Sequence, residues 1–123
     1  MSSCEQHRLL SDTTFLSAFQ TGELDPVLFS HEAHLRLAWL YVRIYGLEDA
    51  ICRITEALFS YVTKVGASDK FDLPLTVTAV KIVNDFVLKS SSKNFFEFIA
   101  AYPDLMLNFK GLVERYHQNN LTE

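Results

Sequence analysis

Cysteine, proline and glycine are all scarce in this chain: two, three and four among 123 residues. Cys4 and Cys52 have no metal-binding spacing and make no disulfide framework, which points to a reducing, cytoplasmic setting. So little Gly and Pro excludes collagen-like and low-complexity segments, and the only short polar repeat is Ser90–Ser92. No apolar run reaches the 18 or so residues that span a bilayer, and no basic stretch followed by an apolar one opens the chain. A soluble protein is the expectation. Positive charge is also in deficit. Eleven Lys and Arg against 15 Asp and Glu give a formal charge of −4 without any basic cluster, which argues against nucleic acid as a partner. Nucleophile elbows and Gly-rich phosphate loops are missing too.

What is present is apolar and aromatic. Hydrophobic residues make up 49% of the chain and aromatics 13%, and ten of the rings are Phe. A chain of this length buries one core without cross-links. Residues 1–10 read as a polar, loose tail and residues 11–119 as a single domain. The expected architecture is all-α, a compact bundle of about five or six helices around one buried central helix.

The punctuation is clear. Ser11 or Asp12 caps a short helix with Phe15, Leu16 and Phe19 on one face, and Gly22 ends it. Asp25-Pro26 reads as a turn. Ser30 caps a helix over 31–45 and Gly46 terminates it. That helix is apolar on nearly every side, the mark of one surrounded by others, so Arg36 and Arg43 must reach water or a partner. From Leu47 to Val65 the apolar residues fall at steps of three and four. Pro74 suits the first turn of a further helix. Residues 75–83 are rich in Thr and Val, which favours a strand, but a lone strand would have no partner, so 75–88 is read as helix. A loop at Ser90–Ser92, a helix over 95–101, a break at Tyr102-Pro103 and a last helix over 104–117 complete the chain.

The candidate chemistry sits at the start of the central helix. His31 and His34 are three apart, so they project from one face, where two imidazoles suit a divalent transition metal or a small ligand. The helix start disfavours their protonation. A catalytic zinc site takes three protein ligands, and Asp72, His117, Glu114 and His7 are the candidates for the third. Glu32 lies about 100° around the helix from each neighbouring position and does not have the spacing of a protease HExxH base. Trp39 lies one turn deeper and is read as core or cavity wall. Thr76 and Thr78 near a helix start cap or donate hydroxyls. Cys52 is read as a small core or flanking residue.

Phe29 to Trp39, FSHEAHLRLAW, resembles the F-x-H-x-x-H-L-R-x-A-W motif of a family of small bacterial helical proteins whose activity is not known. A second motif of that family, Lys, aromatic, His, any residue, Thr, apolar, Thr, has a degenerate counterpart here in Lys70 to Thr78. Asp72 stands where the histidine would be, and two extra residues separate Lys70 from the threonines. The resemblance implies a site of His31, His34, Lys70, Thr76 and Thr78. If three histidines hold a metal there, as in helical-bundle metalloproteins resembling the DinB group, Asp72 replaces the third or the site is lost. Two functional readings remain open. One is a small-molecule or metal site, with hydrolysis by metal-activated water as its chemistry if the protein is an enzyme. The other is a non-enzymatic module that binds a protein or an anion, the histidines being structural.

Overall fold

The computed structural model describes residues 6–121, and every regular element among them is helical. The α-helices are α1 (Asp12–Thr21), α2 (His31–Tyr45), α3 (Leu47–Lys64), α4 (Leu73–Lys89), α5 (Phe95–Ala101), α6 (Asp104–Leu107) and α7 (Phe109–Leu121). Three short 3-10 turns, Gln6–Leu9, Pro26–Leu28 and Ser68–Lys70, lead into α1, α2 and α4.

Helix boundaries follow the capping chemistry. The Ser11, Ser30, Asp72 and Asn94 side chains accept from the backbone N–H of Thr14, Ala33, Leu75 and Glu97, so each new helix opens with one orphan donor satisfied. Gly46 joins α2 to α3 in one residue at φ 82°, ψ 167°, a conformation open to glycine alone. The Thr- and Val-rich segment is helix over Leu73–Lys89, because Val80, Ile82 and Val83 are buried by packing that outweighs β-propensity.

Helices α2, α3 and α4 pack against one another as the centre of the bundle. α1 lies on α3, α7 on α4, and α6 on both α2 and α7. Ten of the eleven residues from Glu32 to Val42 are buried on α2, the exception being His34, as expected of a central helix. Rings from α1 and α5, Phe15, Phe19, Phe95 and Phe98, close the core around it.

Two expectations change. The last helix is broken into α6 and α7 at Asn108, whose φ −147°, ψ 43° is not helical. Residues 6–10 are not a loose tail: Gln6–Leu9 forms a turn of helix and His7 is fully buried. The remainder of that expected tail, residues 1–5, lies outside the described residues.

Candidate functional site

The first turns of α2 carry His31, Glu32, His34 and Arg36, and each side chain has a different destination. His31 stays exposed, with its Nε2 3.0 Å from the Leu105 carbonyl and its ring edge-on to Phe109. His34 folds back on its own helix start. Its Nδ1 is 2.8 Å from the Ser30 carbonyl and its ring stacks on Phe29 at 3.8 Å. Phe29 in turn touches Phe19 of α1 and Tyr61 of α3. The two imidazoles are therefore drawn to different neighbours, His31 towards α6 and α7, His34 towards α1 and α3. A carbonyl only accepts, so each bonded nitrogen carries the hydrogen and each neutral ring keeps one lone pair. Desolvation by the protein packed around it lowers the His34 pKa from the ordinary imidazole value; the Ser30 carbonyl works against this and His31 adds to it.

Glu32 and Arg36 lie one turn apart on another face of α2, and both are buried, with 3% and 1% of their surface exposed. Charges so deep persist only if fully paired. Every guanidinium hydrogen of Arg36 has an acceptor. Nε and Nη2 reach Asp12 Oδ1 at 3.2 and 2.7 Å, Nη2 the Leu10 carbonyl at 2.8 Å, and Nη1 the His7 carbonyl at 2.7 Å and His7 Nδ1 at 3.3 Å. The guanidinium also lies between the rings of Phe15 and Phe96, 4.7 and 5.4 Å from their centroids.

Because Arg36 donates to His7 Nδ1, the His7 hydrogen sits on Nε2, which donates to Glu32 Oε1 at 2.8 Å. Arg8 completes the group with Nε and Nη2 on the two Glu32 oxygens, a bidentate pair. The Arg8 hydrogen bond lowers the Glu32 pKa; burial opposes it, and the His7 hydrogen bond and the Arg8 charge reinforce it. These contacts fasten the Gln6–Leu9 turn and the start of α1 across α2. The sequence does offer a signal for them: a Glu and an Arg one turn apart on a helix otherwise wrapped in apolar residues must find partners from elsewhere.

The other expected site residues are dispersed. Trp39 is core, against Phe95 and Phe98 of α5. Lys70 is exposed in the turn before α4. Asp72 is spent as the α4 N-cap, with Oδ1 3.0 Å from the Leu75 N–H. Thr76 donates its hydroxyl to the Asp72 carbonyl at 2.8 Å, and Thr78 is buried. The expected set of His31, His34 and Asp72 is not brought together: among the described residues no three His, Cys, Asp or Glu side chains form a group that could hold a metal. The cause is local, since a cap carboxylate is tied to its own helix start. Cys52 is exposed on α3, a flanking and not a core position.

No described helix is long and apolar enough to cross a membrane. Two open clefts mark the surface away from the histidines. One, of about 300 Å³, lies between α1, α2 and α3 over Tyr41 and Tyr45, where Arg53 stacks on Tyr45 at 4.3 Å. The other adjoins Trp39 and Arg43 at the far end of α2. No protein-family model, curated protein or solved structure matches this chain.

Proposed function

We propose that this chain is a non-catalytic protein-binding module whose histidine pair serves the architecture of the bundle. The observation that carries this reading is an exposed apolar corner where α3 hands over to α4. Phe59 is 50% exposed and meets Phe71 edge-on at 5.3 Å, and the first turn of α4 that follows carries Leu73 and Leu75, 50% and 44% exposed on different sides of the helix. Apolar groups gathered on a surface mark sites of association more often than single exposed leucines do. The partner is a protein that presents apolar side chains. The engagement of His31 and His34 with carbonyls and rings fits a structural role for them.

A photo-reactive amino acid at position 59, in the cells that make the protein, tests this reading against the same group at position 107. Leu107 is 82% exposed and lies in α6. A discrete protein adduct from position 59, lost when Leu73 and Leu75 become Ser, is the expected result. The same adducts from both positions, or none from position 59, would sink it.

A second reading keeps the pair as a site for a divalent transition metal or a small ligand. What favours it is the lone pair left on each ring, with the other nitrogen held by a carbonyl as in metal-ligating histidines. Zinc added to untagged protein should then shift both imidazole NMR signals at one equivalent, and His31→Ala with His34→Ala should abolish binding. Independent, weak titration of the two rings would count against a shared site.

A further inference from the structure

Arg43 lies seven residues beyond Arg36, two full turns along the same stripe of α2, with Trp39 between them. Its guanidinium lies 4.4 Å from the centroid of the Trp39 ring, and Nη1 donates to the Ser92 carbonyl at 3.2 Å. Together with Trp39, Val87 and Ser90–Ser92 it lines an open cleft of about 270 Å³. The serine loop is folded on itself, with the Ser92 N–H donating to Ser90 Oγ at 2.9 Å, and Ser91 is exposed. Lys89 and Lys93, both exposed, flank the serines. Glu97 is tied to this loop through the Lys93 N–H at 3.1 Å. Among the described residues no carboxylate is paired with Arg43.

We propose that this cleft binds the phosphoryl group of a small phosphate ester. Arg43 is built for it. An arginine has five N–H donors in a rigid fork, and the Ser92 carbonyl occupies one of them. Stacking on Trp39 holds the fork in place, so little side-chain freedom is lost when an anion arrives. A carboxylate would satisfy the fork alone. A phosphoryl group offers a third oxygen for the serine hydroxyls beside it. The apolar wall of Trp39 and Val87 then meets the organic part of the ester. An acidic protein binds such a group here through the contacts of Arg43 and the serine loop and not by its overall field.

Trp39 is the only tryptophan in the chain, so its emission reports on the cleft without a label. Inorganic phosphate and phenyl phosphate are titrated at constant ionic strength, with sodium chloride and phenol as controls. The expected result is a saturable change in emission for both phosphates, half-complete on the order of 1 mM for inorganic phosphate and at lower concentration for phenyl phosphate. Arg43→Gln should weaken binding about tenfold or more, and Arg43→Lys, which keeps the charge but not the fork, by less. Should Arg43→Gln not fold, Arg43→Lys and the backbone amide shifts of Ser90–Ser92 in the parent protein carry the test. Three results overturn the proposal: chloride reproducing the response, phenol binding as well as phenyl phosphate, or amide shifts that leave the serine loop unmoved.

Discussion

Arg36 and Arg43 share one face of one helix and stack on aromatic rings alike, yet they live in opposite conditions. Arg36 is buried with its five hydrogens all accepted from within the protein, and it ties the N-terminal turn and α1 to α2. Arg43 is exposed, holds one carbonyl, and faces a cleft. A saturated guanidinium is a fastener, because any other anion would have to displace a partner already in place. An unsaturated one is available for recognition. The residue type alone does not separate the two. The count of acceptors around each does.

Substitution at each position breaks the comparison in the clearest way. Arg36→Met should cost about 2–4 kcal/mol in urea unfolding, since it strands the buried His7 carbonyl and Nδ1 and the Leu10 carbonyl, while the half-exposed Asp12 carboxylate turns to water. That is a large part of the roughly 5–15 kcal/mol that holds a domain together. A loss below about 1 kcal/mol would show that the buried network is not under load.

Acid provides the next largest effect. Glu32 has a folded-state pKa below the ordinary carboxylate value, so between about 4.3, where an unfolded Glu titrates, and that lower value the unfolded chain holds more protons. Stability is therefore full above this window and falls as pH drops through it. Unfolding midpoints measured from pH 7 to pH 3 should show this slope, and Glu32→Gln should flatten it. His34, also lowered, acts with the same sign at higher pH, its contribution being full above about 6.5 and declining below.

The smallest effect is expected at Arg43. Arg43→Met should change stability by no more than about 1 kcal/mol, the scale of an exposed cation–π contact, in the same urea series. A loss as large as that of Arg36→Met would erase the distinction between fastener and recognition residue.

The helical framework was legible in the sequence because it is encoded locally. Ser30 and Gly46 bracket α2, and the three-and-four spacing of α3 needs no knowledge of its neighbours. Pro74 marks the start of α4 in the same way, but the Asp72 cap two residues before it reads instead as a third metal ligand, a role that depends on a long-range approach no local pattern displays. The break at Asn108 is announced only by Gly111 three residues on, where the Asn108 side chain takes the space a Cβ would fill, a contact that the sequence alone does not display. Nor does anything local disclose that His7 is buried. Its environment is built by residues 25 and 29 positions away, and only the odd presence of Glu32 and Arg36 inside an apolar helix hints that such a partner exists.

Synthesis of the chain treats the two arginines differently as well. All of the hydrogen-bond acceptors that satisfy Arg36 lie between His7 and Asp12, so they are synthesised before Arg36 itself and before α3 and α4. The Ser92 carbonyl that Arg43 holds arrives 49 positions later. Clasp and cleft are thus separated in time: the acceptors of the first are all in place when Arg36 is added to the chain, whereas the second requires nearly three quarters of the polypeptide.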